Sequence, residues 1–191
     1  MIEIKYNILD RFLHKLVLSN KGIIELLFNL EKAIYLDKNK RHNNNYFITG
    51  LARSGTTQFL NILHQTNKFA SLTYSDMPFI FSPNLWKKIK SISKKKVINK
   101  VERAHKDGIT IDIESPEALE EPLWMYLTGA KYIKKDFLSL HDVSKEQINN
   151  FINLMNLVKI KYGKDIYLSK NNFNILRLKS LLNFLPDSKF F

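Results

Sequence analysis

Hydrophobic residues recur every three or four positions along three stretches of the chain, residues 4–17, 23–34 and 148–158. This spacing places them on one face of a helix. The third stretch follows the capping-box sequence of residues 144–147, and Gly163 beyond it suits a left-handed helix cap. The pattern therefore predicts two N-terminal helices and one long helix in the second half of the chain.

Short apolar runs alternate with further helical patterns. Residues 46–49, 166–169 and 188–191 each predict a short buried strand, and helical spacing follows the first from Gly55 and the second from Asn174. Strands that alternate with helices indicate an α/β fold with a parallel sheet. We therefore predict a parallel sheet that is flanked by helices.

A polar run from Lys38 to Asn45 separates the N-terminal helices from the first strand. We expect residues 1–45 to form a helical N-terminal extension and residues 46–191 to form the α/β domain. The last apolar run stops at Phe191, whereas a central strand usually continues for about 5 residues. The α/β domain is therefore expected to be incomplete at its C-terminus, in a chain that is part of a larger protein or a truncated product.

The composition narrows the functional classes only slightly. A net charge of +12 makes an anionic partner plausible without identifying it. Lysines cluster between Trp86 and Arg103, but interleaved aromatic residues are missing, so nucleic-acid binding is not expected. The absence of cysteine excludes disulfides and thiolate chemistry. No run approaches the roughly 18 uncharged apolar residues of a membrane span, and we expect a soluble, cytoplasmic protein.

The most informative segment lies between the first predicted strand and the helix after it. It reads Gly50-Leu51-Ala52-Arg53-Ser54-Gly55-Thr56-Thr57. Glycines allow the tight turn, the amides from Arg53 to Thr57 can point at an anion, and the helix dipole adds positive potential. Two threonine hydroxyls and the arginine charge add further donors. We predict a phosphate site whose binding residues are Gly50, Arg53, Ser54, Gly55, Thr56 and Thr57.

The position of the cation indicates which phosphate the loop binds. A Walker-type loop has Lys directly after its second glycine, and here that residue is Thr56. The only cation, Arg53, lies inside the loop. This disfavours ATP or GTP phosphoryl transfer and suits a donor whose single 5′-phosphate is bridged to the transferred group.

Residues 52–57 resemble the 5′-phosphosulfate loop of sulfotransferases, which have a P-loop-like fold. Residues 69–86 are similar to a segment of bacterial members, and residues 169–190 resemble the strand and helix that lead to the family's second nucleotide motif. Ala52 replaces the usual Pro, and the chain ends before the expected 3′-phosphate motif. The resemblance implies 3′-phosphoadenylyl sulfate (PAPS) as co-substrate and no metal.

The resemblance also implies catalytic roles. Arg53 is expected to stabilise the leaving phosphate, and Asp76 is our first choice as general base, because acidic bases of the family lie near this position. Asp76 could instead cap the turn before Pro78. The other candidate bases are Glu114, Glu120, Glu121, His64 and His105, and Lys170 could approach the nucleotide. No histidine pair has metal-ligand spacing.

The sequence thus predicts transfer of a sulfuryl group from PAPS to a hydroxyl or amine of a small-molecule or saccharide acceptor. The rival hypotheses are a truncated or degenerate nucleotide-binding module without catalysis and a nucleotide-dependent kinase. A basic nucleic-acid binder is a more distant alternative. Neither the acceptor nor the oligomeric state follows from the sequence.

Overall fold

The computed structural model describes residues 20–36, 44–92, 100–102, 108 and 110–191. The first predicted helix, residues 4–17, lies outside the described residues, as does His105. The helices are α1 (Lys21–Tyr35), α2 (Thr56–Gln65), α3 (Pro83–Ile92), α4 (Glu121–Thr128), α5 (Lys145–Tyr162) and α6 (Leu178–Phe184). The strands are β1 (Asn45–Ile48), β2 (Phe69–Ala70), β3 (Val101–Glu102), β4 (Thr110–Ile111), β5 (Ile166–Lys170) and β6 (Lys189–Phe190). Short 3-10 helices span Tyr74–Asp76 and Asn172–Arg177.

Four of the strands form one parallel sheet in the order β2-β5-β1-β6. The register pairs Phe47 with Ser169 and Ile48 with Lys170, so β1 and β5 end side by side. β3 and β4 form a separate antiparallel pair. The parallel sheet with flanking helices confirms the predicted α/β fold.

Helices cover both faces of the sheet because alternate strand residues point to opposite sides. On one face, α2 packs Leu60 against Ile48 and Leu168. On the other face, Phe47 and Tyr167 join the larger core with residues of α1, α4, α5 and α6. The sheet is therefore the middle of three layers.

Helix α1 belongs to the same hydrophobic core as the sheet. Ile24 and Phe28 are buried there. Glu31, which is completely buried, accepts hydrogen bonds from the backbone N of Asn84 at 2.6 Å and of Leu85 at 3.0 Å. These amides belong to the first turn of α3, so the Glu31 carboxylate caps α3 and ties α1 to it.

Most local sequence signals are confirmed. The Ser144 capping box starts α5, and Gly163 ends it with a φ of 63°. Ser115 followed by Pro116 has the pattern of a helix N-cap with proline at the first helical position. The helix start that this pattern predicts is wrong, because α4 begins at Glu121 and Pro116 instead forms a β-bridge with Thr73. In the part of the chain that the structure describes, no helix is long and apolar enough to cross a lipid bilayer.

One buried amine makes stability depend on pH. Lys159 in α5 is 3% exposed and donates to Asn45 Oδ1 at 2.9 Å. Burial lowers the pKa of Lys159 to about 8, although Asp165 opposes the shift. Between this pKa and the unfolded value of 10.5, the unfolded chain binds more protons, so stability rises with pH.

We expect the urea midpoint of unfolding to increase from pH 7.5 to pH 9.5, and Lys159→Met to remove this increase. Lys145→Met, on the exposed first turn of the same helix, should leave it unchanged. A midpoint in the native protein that falls over this range would contradict the assignment.

Candidate functional site

The loop between β1 and α2 lies at the carboxyl end of the parallel sheet, where ligands bind in open α/β folds. Gly55 is the N-cap of α2 with a φ of 81°, and no side chain caps the helix. The first amides of a helix have no acceptor within it. The start of α2 therefore presents uncapped N–H groups and the positive end of the helix dipole to an anion.

Internal contacts make the loop tight. The Ser54 amide and hydroxyl both donate to the Leu51 carbonyl, at 3.3 and 2.7 Å. A Cβ on Gly50 would lie 3.1 Å from Ser54 Oγ and 3.3 Å from Thr56 Cγ2. Only glycine fits at position 50 without displacing these side chains, so the predicted glycine requirement has a steric cause.

Arg53 has a backbone conformation that side chains rarely adopt. Its φ is 68°, in the left-handed region, and the residue is exposed. This conformation costs about 1 kcal/mol or more for a residue with a Cβ. A glycine at this position would avoid the cost.

The threonines lie where the loop passes into α2. Thr57 is 8% exposed, and Thr56 Oγ1 donates to Asn172 Oδ1 at 3.4 Å. Just before the loop, Thr49 Oγ1 is buried without a hydrogen-bond partner among the described residues. The predicted phosphate-binding residues thus lie together, and a buried hydroxyl beside them has an unused hydrogen-bonding capacity.

The end of β5 lies directly beside the loop. Lys170 pairs in register with Ile48, and the Asn171 amide donates to the Ile48 carbonyl at 3.0 Å. Asn172 follows and contacts Thr56. Among residues 169–172, the sequence predicted a functional role only for Lys170, as a residue that could approach the nucleotide. The contact of Asn172 with the loop depends on strand pairing, which no local motif encodes.

Asp76 ends the short 3-10 helix after β2, where several hydrogen bonds hold its carboxylate. It is completely buried, its Oδ1 accepts from Lys161 Nζ, and its Oδ2 accepts from Tyr162 OH at 2.9 Å and the Thr73 amide at 2.8 Å. Lys161 and Tyr162 lie at the end of α5. The hydrogen-bond partners of the Asp76 carboxylate are thus residues outside the loop. Its assignment as the base remains a prediction.

The alternative acids have different surroundings. Glu120 is buried, and burial raises its pKa, opposed by hydrogen bonds that include one from Tyr167 OH at 2.7 Å. Glu121 accepts from Asn171 Nδ2 at 2.7 Å and from Arg177. Glu114 is exposed and lies beside Ser75, on the side of Asp76. Only Glu121 is linked directly to a residue that adjoins the loop.

Of the two histidine candidates, only His64 lies within the described residues. His64 is in the last turn of α2, and burial lowers its pKa, assisted by Lys164. No group of three or more histidine, aspartate or glutamate side chains is arranged to hold a metal within the described ranges.

Comparisons with known proteins show the family and the fold to which this chain is similar. A family model described as a sulfotransferase family matches residues 46–191. A solved structure of sulfotransferase STF1 from Mycobacterium tuberculosis is similar, with a TM-score of 0.57 and 15% sequence identity. The match covers 98% of this chain and 55% of the mycobacterial chain, so this chain spans about half of that protein's length. Curated protein sequences gave no match.

The buried pair of Asp76 and Lys161 can be tested by substitution. Asp76→Asn leaves the lysine charge buried without a counter-charge, and we expect a loss of about 3 kcal/mol in urea unfolding. The double variant Asp76→Asn/Lys161→Met should recover part of this loss, because it removes both charges. A stable Asp76→Asn protein that binds the donor normally but has lost turnover would instead support Asp76 as the base.

Proposed function

The chain belongs to the sulfotransferase family, and we propose that it transfers a sulfuryl group from PAPS to a hydroxyl or amine of a small-molecule or saccharide acceptor. The observation that carries the proposal is the uncapped start of α2 behind a tight loop with a cation inside it. The kinase alternative is less well supported, because Thr56 occupies the position of the Walker lysine.

The loop residues would hold the 5′-phosphate of the donor. Amides from Arg53 to Thr57 and the hydroxyls of Thr56 and Thr57 are the proposed hydrogen-bond donors. The unpartnered hydroxyl of Thr49 supports a polar ligand or an ordered water here, since a buried hydroxyl without a partner is costly. The residues present therefore fit a phosphate group.

The transfer step breaks the bond between the sulfuryl group and the 5′-phosphate and forms a bond to the acceptor oxygen or nitrogen. Charge then develops on the leaving phosphate, where Arg53 and the dipole of α2 would stabilise it. The acceptor proton requires a base within about 3 Å. We retain Asp76 as the sequence-based proposal for that base. In this role it would have to exchange one of its bonds to Lys161, Tyr162 or Thr73.

The donor assignment is tested by calorimetric titration of the chain with adenosine 3′,5′-bisphosphate and, separately, with ATP and magnesium. Preference for the bisphosphate supports the proposal. Preference for ATP would instead favour the kinase hypothesis. If the chain binds neither nucleotide, the proposed nucleotide site is contradicted. Turnover with PAPS and a panel of saccharides then separates an enzyme from a binding module.

Two substitutions of Arg53 separate its charge from its strain. Arg53→Ala should weaken bisphosphate binding by at least about tenfold, because a charge-assisted contact is lost. Arg53→Gly should weaken binding equally but raise the unfolding free energy by about 1 kcal/mol, because glycine adopts a φ of 68° without strain. Calorimetry and urea unfolding measure the two effects. If both variants bind the bisphosphate as tightly as the native chain, Arg53 does not contribute to nucleotide binding.

A further inference from the structure

We infer that Asn172 is a positioning residue that orients the Thr56 hydroxyl of the loop. We also infer that Glu121 fixes the position of Asn172 through its hydrogen bond to the neighbouring Asn171. The inference rests on the proposed function, because it concerns the same phosphate site. It assigns a role to three residues that do not belong to the loop.

The first step is the contact between Asn172 and Thr56. Thr56 Oγ1 donates to Asn172 Oδ1 at 3.4 Å. A phosphate oxygen can only accept, so the Thr56 proton must turn toward it when the donor binds. A carboxamide that rotates by a half turn can then donate its Nδ2 proton to Thr56 Oγ1. Asparagine therefore serves both states of the loop, which aspartate cannot do.

The second step is the fixed backbone of Asn171. Its amide donates to the Ile48 carbonyl at 3.0 Å, and its Oδ1 accepts from the Phe173 amide at 3.0 Å, where it caps the 3-10 helix. Its Nδ2 donates to Glu121 Oε2 at 2.7 Å. These hydrogen bonds fix both the main chain and the side chain of Asn171. The backbone of the next residue, Asn172, therefore has a defined position beside Thr56.

The third step is the support of Glu121. Arg177 Nη2 donates to both of its oxygens, at 2.9 and 3.2 Å, and Tyr132 OH donates to Oε1. Arg177 is 1% exposed, and its guanidinium carbon lies 4.6 Å from the centre of the Trp124 ring and 5.2 Å from that of Tyr132. These contacts fix the carboxylate, so a rigid part of the core is connected to the phosphate loop.

The decisive substitution is Asn172→Asp, measured by calorimetry with adenosine 3′,5′-bisphosphate. Asn172 is half-buried at the start of a 3-10 helix, where aspartate is tolerated, so the variant is expected to fold. It removes the Nδ2 donor and adds a negative charge, and affinity should fall by about tenfold or more. Asn172→Ala, without the added charge, should lose about threefold.

Glu121→Gln tests the support, with Glu117→Gln as its matched control. Glu117 lies on the same segment but accepts from Tyr74 OH at 2.7 Å, away from the loop. We expect Glu121→Gln to weaken bisphosphate binding about fivefold, and the control to leave it unchanged. In the native chain, the side-chain amide resonances of Asn172 should shift on titration with the bisphosphate, while those of Asn150 on α5 stay constant.

The outcomes separate the two proposals. A native chain that does not bind the bisphosphate overturns both the proposed function and this inference. A native chain that binds it, together with an Asn172→Asp variant of equal affinity, overturns the inference alone. Loss of binding in Glu117→Gln as large as in Glu121→Gln would also overturn it, because the effect would then be general.

Discussion

The parallel pairing of β1 with β5 is the constraint on which the site depends. It sets Ile48 opposite Lys170, so the loop after one strand and the asparagines after the other emerge side by side. Burial on both faces fixes this register, with Phe47 and Tyr167 in one core and Ile48 in the other. A shift by one residue would turn each apolar side chain toward the wrong layer, and core packing therefore determines the geometry of the phosphate loop.

Features that depend on neighbouring residues could be predicted from the sequence. The Ser144 box and Gly163 are local signals for the ends of a helix, and both are present in the structure. The two-residue strand β2 is too short to produce a periodic pattern, and it was not predicted. At Ser115-Pro116 the local signal was misleading, because pairing of Pro116 with Thr73 prevailed over a preference for a helix start.

The same distinction applies to the candidate site. The loop residues are contiguous, so their chemistry could be predicted from one segment. Asn172 lies 116 positions from its partner Thr56, and only the fold brings the two together. For Asp76, its place in the sequence after α2 did not reveal which side chains would surround it. Its contacts with Lys161 and Tyr162 arise from the packing of α5, which the periodicity of one helix does not specify.

Two ion pairs hold separate segments of the chain, one between the buried Asp76 and Lys161 and one between the buried Arg177 and the partly buried Glu121. Asp76 and Lys161 hold the turn after β2, whereas Glu121 and Arg177 hold the segment beside the loop. Buried pairs contribute little net stability, because desolvation offsets their attraction, but an unpaired member is costly. Each pair therefore excludes alternative packings of its segment more than it adds to the free energy of folding. Because the pairs share neither a residue nor a hydrogen-bond partner, we expect substitutions in one pair to change stability largely independently of the other.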